Sequence, residues 1–411
     1  MTPTAVDGRE GRGGSVGSDP LAGAAAVVGV GDTDYAQDWR RARAGEVCPD
    51  SYGYAHLAFT RALADAGLTK GDVDGLVVGP TLAYERTAEV LGLDVRWAAQ
   101  ADAAMSVIHG VAAIVTGQAD CVALVYGNDQ RTAGVQYGGP EAMGGAEFLS
   151  YIYYAPWGFT SQGALYGLVA RRYLEMSGLT PETLGEVAVA QRMFAAMNRN
   201  AVMRADLDLA DYLAARFVAE PLRLFDYTIV NDGGVALLLV ATERAWGLRN
   251  ARPVSIRGTG RADLNVDATS LRPRLVDFYH PAHARAAERV WTAASCGPED
   301  IDALEVYDSF SIHVPLALTG FGFTTDDEVG HFLASGAVRP GGSLPVNTSG
   351  GHLSESYMQG WNHQVEAVRQ ARGEAGTRQV EDARLVQYVS DVAGKVVSLV
   401  YEGPSRHRSV S

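Results

Sequence analysis

The sequence AGLTKGDVDGL at residues 66–76 returns as ASCGPEDIDAL at residues 294–304, a constant 228 positions later. In both copies an apolar pattern typical of a helix ends, a turn carrying an Asp-x-Asp pattern follows, and an apolar pattern typical of a strand begins. A helix, turn and strand that occur twice indicate two similar α/β halves. In such a chain we expect a ligand to bind where the strand ends of both halves meet.

The rest of the chain alternates in the same way and predicts an α/β fold. We expect strands and helices over the following stretches: strands at 25–30, 73–78, 121–126 and 254–258, and helices at 55–66, 105–116 and 181–197. Three units follow from these patterns: a disordered tail over 1–23, a first half over 24–250 and a second half over 251–411. The first half contains a long excursion at 127–161, rich in glycine and aromatic residues, which is typical of substrate or partner contacts.

Composition narrows the functional classes. The 34 Lys and Arg against 48 Asp and Glu give a net charge of −14, the wrong sign for a protein that neutralises nucleic-acid phosphates. Three widely spaced cysteines, Cys48, Cys121 and Cys296, offer no disulfide framework and no paired metal spacing. No apolar run approaches the roughly 18 to 20 residues of a membrane helix. We therefore expect a cytoplasmic protein that binds neither nucleic acid nor a membrane.

Polar residues cluster at two places in the second half. One cluster, Glu305–Phe310, follows a predicted strand, and the other, Asn347–Tyr357, is expected to open a helix. Such positions face the ligand crevice in open α/β sheets. The plainer interpretation is that Tyr307 and Tyr357 pack with their hydroxyls at the surface and that His352 is a structural hydrogen-bonding residue.

Three motifs together resemble one known superfamily. Asn231-Asp232-Gly233-Gly234 before an apolar strand, Val306–Phe310, and Asn347–Ser354 occur in the order and spacing of the thiolase superfamily. The likeness is greatest to its sterol-carrier-protein and lipid-transfer branch. It implies the thiolase fold, with two duplicated α/β/α halves in a five-layer arrangement, and a homodimer.

The chain departs from the thiolase pattern at the nucleophile. Thiolases carry a cysteine just before the helix predicted here at 105–116, where the helix N-terminus favours the thiolate. Ungapped counting places Gln100 at that position, and the nearest cysteines are Cys48 and Cys121. Covalent acyl transfer is therefore not expected.

Two further thiolase positions carry phenols instead. Tyr307 stands where an Asn or His helps to form the oxyanion site, and Tyr357 stands where the Gly-His-Pro histidine falls. This pattern is similar to the steroid side-chain-cleaving aldolases, thiolase relatives that split a β-hydroxyacyl-CoA. The resemblance implies a retro-aldol cleavage of a steroid side-chain thioester to a 17-ketosteroid and propionyl-CoA. It also implies a complex with the OB-fold and zinc-ribbon domain of a partner hydratase.

A retro-aldol step needs a base for the β-hydroxyl proton and a stabiliser for the thioester enolate. We expect Tyr307 and Tyr357 to divide the base and acid roles, in an order that the sequence leaves open, with Asp308 and His352 as further catalytic candidates. The expected substrate-binding residues, some of them through backbone N–H groups, are Gly350, Gly351, Gln100 and Asn347. No metal is expected, and no cofactor beyond the CoA of the substrate.

Two other functions remain open from the sequence. The missing cysteine fits equally well a catalytically silent subunit that binds an acyl-CoA. An acyltransferase or thiolase with an unorthodox nucleophile is the other alternative, and it requires a covalent acyl-enzyme.

Overall fold

The computed structural model describes residues 19–135, 157, 161–263, 280–392 and 395–404. The strands are β1 (Ala25–Asp32), β2 (Gly75–Val78), β3 (Trp97–Gln100), β4 (Cys121–Asn128), β5 (Phe217–Ala219), β6 (Leu222–Arg223), β7 (Gly233–Ala241), β8 (Val254–Asp263), β9 (Ala303–Val306), β10 (Leu385–Val392) and β11 (Lys395–Glu402). The α-helices span Tyr35–Ala44, Ser51–Ala66, Tyr84–Leu91, Ala103–Val115, Gln162–Ser177, Glu182–Met197, Leu209–Ala214, Thr242–Ala245, His280–Ala294, His313–Gly320, Val329–Ala334 and Trp361–Arg372.

The two halves repeat one sheet topology. Hydrogen bonding links nine strands in the order β3-β2-β4-β7-β1-β8-β11-β10-β9. Read outward from the junction, β1-β7-β4-β2 corresponds to β8-β11-β10-β9, with matching antiparallel and parallel pairs. The counterpart of the edge strand β3 is a single parallel bridge from Val346 to Leu304. The predicted duplication is thus present in the fold, and β2 and β9 keep the 228-residue offset.

The layers are helix, sheet, helix, sheet, helix. The helices Ala103–Val115 and Trp361–Arg372 form the middle layer, because side chains from both pack in one core cluster with strands of both halves. The helix Ser51–Ala66 covers the outer face of the first half. The helix His280–Ala294 does the same for the second half, so the expected five-layer arrangement is present.

The predicted element boundaries shift by a few residues for local reasons. The helix expected at 55–66 begins at Ser51, because the Asp50 carboxylate caps it by accepting from the Gly53 N–H. Asp102 caps the central helix through the Met105 N–H, so that helix begins at Ala103 rather than 105. The strand expected at 73–78 begins only at Gly75, because Asp72 closes a short 3₁₀ turn with Thr69 before it.

Residues 19–23, the end of the predicted tail, lie in the described part of the chain. Leu21 packs against the central core, and the Gly23 N–H donates to the Ile256 carbonyl. The chain is therefore tied to β8 before the predicted boundary at residue 23. The preceding residues 1–18, and residues 136–156 and 158–160 of the predicted excursion, lie outside the described residues.

Within the described ranges, no helix combines the length and the apolar character needed to cross a membrane.

Candidate active site

Tyr307 and Tyr357 meet in the structure. Their hydroxyl oxygens lie 3.2 Å apart, although the residues are 50 positions apart in the chain. Tyr307 directly follows β9, and its N–H donates to the Val389 carbonyl of β10. The backbone of Tyr357 is held from the first half, because its N–H donates to the Asn231 side chain and its carbonyl accepts from the Asn128 amide. The two phenols therefore form one hydrogen-bonded pair where the halves meet.

The phenol pair is nearly enclosed. Tyr307 and Tyr357 each retain 8% of their surface. Burial raises the pKa of Tyr307, and the hydrogen bond with Tyr357 offsets this only in part. Tyr307 is therefore a neutral phenol at physiological pH and a hydrogen-bond donor.

His352 packs against both phenols. Its ring meets Tyr307 edge to face at 4.8 Å between centroids and Tyr357 at 5.0 Å. Its Nε2 accepts from the Gly360 N–H, so the neutral ring carries its proton on Nδ1. Burial, followed by the neighbouring His363, lowers the pKa of His352 well below its usual value. These contacts indicate a positioning role for His352, and its expected role as an acid or base stays a prediction.

Asp308 links the two segments that carry the tyrosines. Its carboxylate accepts from the backbone N–H groups of His352 and Leu353, at 2.9 and 3.2 Å, and lies 2.9 Å from His363 Nε2. The residue is fully buried. Asp308 therefore fixes the π-helical turn Gly351–Glu355 beside Tyr307. This too is a positioning role rather than the expected catalytic one.

Asp308, His352 and His363 also lie close enough to suggest a metal site. One ligand atom from each falls within 4.8 Å of the others. The hydrogen bonding argues against an ion, because His352 Nε2 already accepts from the Gly360 N–H. Metal binding through Nδ1 would then require an imidazolate anion or two donors facing each other. We interpret this cluster as a hydrogen-bonded support for the tyrosines.

Asn347 does not reach into the site as a substrate-binding residue. Its φ is 52°, and its side-chain amide exchanges two hydrogen bonds with the Val306 backbone, at 2.6 and 3.0 Å. These bonds continue the edge of β9 up to Tyr307. The expected contact of Asn347 with the substrate is thus corrected to support of the strand.

The backbone requires glycine at Gly350 and Gly351, three and four residues after Asn347. Gly351 has φ +57°, and a Cβ there would lie 2.5 Å from Asp308 Oδ2. Gly350 has φ +107°, and a Cβ there would lie 2.7 Å from Ala195 Cβ. The Gly350 N–H donates to the Asn347 carbonyl, so it is not free for an enolate. These glycines shape the turn, and the Gly350 N–H is corrected as an oxyanion donor.

Gln100 lies at the end of the edge strand β3. Its side-chain amide donates to the Leu82 carbonyl at 2.8 Å, and the contacts of the described residues give no link from it to the tyrosines. The central helix begins at Ala103, three residues after Gln100. Its described first turn carries no thiol, and burial raises the pKa of Cys121 to about 12. Gln100 as a substrate contact stays a prediction.

A buried acid that no sequence pattern predicted lies behind the turn. Glu355 accepts hydrogen bonds from the side chains of Asn198, Ser349 and Asn362, at 2.7 to 2.9 Å. Burial, and then the nearby Glu366, raise the pKa of Glu355 to about 7. Asn231 and Asn128, which hold Tyr357, were missed as well, although Asn231 stands in a motif that was noticed. No local signal marks Asn128 or Glu355, because their partners are distant in the chain.

Comparisons with known proteins agree with this fold. Residues 265–401 match the family model described as "Thiolase C-terminal domain-like". A 17-hydroxy-3-oxo-4-pregnene-20-carboxyl-CoA lyase of Mycobacterium tuberculosis is 32% identical over 374 residues, covering 86% of this chain and 92% of the relative. A steroid side-chain-cleaving aldolase of Thermomonospora curvata is also 32% identical, over 86% of this chain and 91% of its own. A solved structure described as the Ltp2-ChsH2(DUF35) aldolase aligns with a TM-score of 0.82 and 29% identity, over 94% of this chain and 100% of that one.

Proposed function

The chain belongs to the steroid side-chain-cleaving aldolases of the thiolase superfamily, and from this we propose that its tyrosine pair cleaves a β-hydroxyacyl-CoA by a retro-aldol step. The observation that carries the proposal is the 3.2 Å contact between the hydroxyls of Tyr307 and Tyr357. Two adjacent phenols can move protons, and the described part of the site offers no thiol nucleophile for acyl transfer.

We propose a steroid substrate whose side chain is a CoA thioester and whose C17 carries a hydroxyl group. The name of the Mycobacterium tuberculosis relative describes such a compound. In this substrate the hydroxyl is β to the thioester carbonyl, so the bond between C17 and C20 is the one that a retro-aldol step breaks. The products are a 17-ketosteroid and propionyl-CoA.

Two proton transfers accompany the cleavage, and together they balance its atoms and electrons. A base removes the proton of the C17 hydroxyl, and the electrons of that O–H bond form the C17 carbonyl. The C17–C20 bond breaks, and its electron pair passes into the thioester enolate. An acid then protonates C20, giving propionyl-CoA. The reaction consumes no water and needs no oxidant, so we propose that no metal and no cofactor beyond the CoA of the substrate take part.

We assign the acid role to Tyr307 and the base role to Tyr357. Burial keeps Tyr307 protonated, which suits the donor that hands a proton to C20. Tyr357 begins the cycle as the phenolate and receives the hydroxyl proton. After product forms, that proton crosses the 3.2 Å contact from Tyr357 back to Tyr307 and restores the starting state. The pair can thus complete a cycle without a proton from solvent.

Substitution of each phenol tests the proposal. We expect Tyr307→Phe and Tyr357→Phe to lower kcat by at least about 100-fold, because each removes one proton-transfer group. The fold should survive, since Phe retains the ring that packs against His352. Formation of the 17-ketosteroid and propionyl-CoA, measured by chromatography with mass spectrometry, gives the rate.

The control is Tyr84→Phe, which removes a phenol from an exposed helix. A folded Tyr307→Phe or Tyr357→Phe variant that keeps kcat within about threefold of the parent would contradict the assignment. Calorimetric binding of the thioester by the parent protein, with no product formed, would favour the silent acyl-CoA-binding subunit instead.

We also propose that the enzyme works in the cytoplasm as a homodimer bound to a partner subunit. The similar solved structure is named as an aldolase that joins Ltp2 to ChsH2(DUF35), which supports a partner of the predicted OB-fold and zinc-ribbon type. The edge strand β3 ends the sheet of the first half, and its Trp97 and Ala99 are only partly buried, which supports an interface there. Co-expression with such a domain, followed by mass measurement of the purified complex, checks both parts.

A further inference from the structure

A second group of buried polar residues lies beside Tyr307 and is not used by the retro-aldol step. Ser309 Oγ lies 3.0 Å from His313 Nε2, and His313 Nδ1 lies 3.7 Å from Asp391 Oδ2. Ser309 lies in the bend after β9, His313 begins the helix His313–Gly320, and Asp391 belongs to β10. Serine, histidine and aspartate therefore stand in the order of a nucleophile, its base and the group that orients the base.

The charges around Asp391 indicate which ring nitrogen of His313 carries the proton. His283 Nε2 approaches the same Asp391 oxygen at 3.4 Å, so two imidazoles face one carboxylate. Burial alone would raise the pKa of Asp391, but His283 and His313 lower it, and the carboxylate is ionised. With the ring proton of His313 on Nδ1, on the side of Asp391, Nε2 accepts from the Ser309 hydroxyl and can take its proton.

Of these three residues, only Ser309 is accessible to solvent. Ser309 keeps 8% of its surface, the same fraction as Tyr307 and Tyr357, whereas His313 and Asp391 keep at most 1%. The rings of Tyr307 and His313 meet edge to face with centroids 6.1 Å apart. Ser309 also follows Tyr307 by only two residues. A thioester held against the tyrosine pair therefore has a serine hydroxyl close to it.

We propose that Ser309, His313 and Asp391 form a second catalytic centre that hydrolyses short acyl-CoA thioesters. Ser309 Oγ attacks the thioester carbonyl while its proton passes to His313 Nε2. The carbon–sulfur bond breaks, and His313 returns the proton to the departing CoA thiolate, leaving an acyl-serine ester. Water then attacks this ester with His313 as base, and the carboxylic acid and free Ser309 result. The activity needs no β-hydroxyl, so it is independent of the retro-aldol proposal.

Propionyl-CoA is the probe, because it has a thioester but no bond that a retro-aldol step can cleave. Release of free CoA is followed with a thiol-reactive dye, and intact-protein mass spectrometry records a propionyl adduct of the chain. We expect slow CoA release by the parent protein and a fall of about 1,000-fold in Ser309→Ala. The matched control is Ser311→Ala, since the Ser311 hydroxyl is also buried but donates to Asp226 rather than facing His313.

A second variant keeps the test decisive if the first is unstable. His313→Gln should also lose CoA release, and a fluorophosphonate reagent should label the peptide containing Ser309 in the parent but not in this variant. The proposal is overturned if the parent releases no CoA, or if Ser309→Ala releases it as fast as the parent does. It is equally overturned if the adduct maps to another residue. Because none of these readouts uses a β-hydroxyacyl substrate, they stand apart from the outcome of the tyrosine substitutions.

Discussion

The position of the tyrosine pair depends on neighbouring residues that hold the segments around it. His352 and Asp308 looked catalytic in the sequence because they are polar and follow strand ends. In the structure His352 Nε2 accepts from the Gly360 N–H, and Nδ1 lies 3.6 Å from Asp308 Oδ1. A polar residue near a reacting pair therefore need not touch the substrate. The chemistry that we propose belongs to the two residues whose hydroxyls meet.

The buried carboxyl of Glu355 predicts a dependence of stability on pH. Its pKa is raised from 4.5 to about 7 by burial and then by Glu366, so between these values the folded protein holds a proton that the unfolded chain has lost. The free energy of unfolding therefore falls as pH rises through this window, by at most about 3 kcal/mol from this residue. Glu355→Gln removes the titrating group. The midpoint of thermal unfolding of this variant, relative to that of the parent, should therefore rise between pH 5 and pH 8.

The measurement is a pair of melting curves at each pH for the parent and for Glu355→Gln. A matched variant is Glu381→Gln, an exposed acid on the surface. Equal pH dependence in the parent and in Glu355→Gln would show that Glu355 does not titrate in this range.

The turn Gly351–Glu355 is the element that positions Tyr357 beside Tyr307. The sequence predicts a helix opening over Asn347–Tyr357, yet the structure has a π-helical turn and the helix begins only at Trp361. Two glycines with positive φ, together with the Asp308 carboxylate that accepts two N–H groups of the turn, favour this geometry. The turn ends at Ser356, which is extended, and the backbone of Tyr357 after it is hydrogen-bonded to the first half.

Gly351→Ala should disable this element. The alanine meets a left-handed backbone, which costs about 1 kcal/mol, and its Cβ would also lie 2.5 Å from Asp308 Oδ2. We expect kcat to fall at least about tenfold, since the clash shifts the turn that carries Tyr357. Gly341→Ala is the control, because Gly341 has φ +78° but nothing within 4 Å of the added Cβ. Similar loss of activity in both variants would mean that the backbone conformation, and not the contact with Asp308, matters.

At the scale of the whole molecule, the site exists because two repeated halves share a middle layer. The helix Trp361–Arg372 belongs to the second half, but its two arginines bind the first half. Arg369 forms two hydrogen bonds with the Asp32 carboxylate, at 2.6 and 2.9 Å, and Arg372 binds Asp65 at 2.8 Å. These ion pairs complement the apolar core and fix how the halves are placed.

Arg369→Gln should weaken the junction between the halves. Removing one partner leaves the mostly buried Asp32 carboxylate without its charge partner, which typically costs about 3 kcal/mol. We expect a lower midpoint of thermal unfolding and a smaller kcat, because Asn128 and Asn231 of the first half hold Tyr357 of the second. The exposed pair of Arg86 with Glu89 gives the control, and Arg86→Gln should leave both quantities almost unchanged. A melting curve for Arg369→Gln that matches the parent's would contradict this account.

The sequence by itself determined the α/β repeat, the absence of a thiol at the expected nucleophile and the presence of two tyrosines at two other thiolase positions. These properties lie in local patterns and in residue types at counted positions, so no distant contact is needed to read them. Only the tertiary structure decided that the two phenols touch, that His352, Asp308 and Asn347 support them, and that Asp391 stands behind His313 and Ser309. Those relations join residues tens to hundreds of positions apart, and packing between the halves, rather than any local propensity, sets their distances.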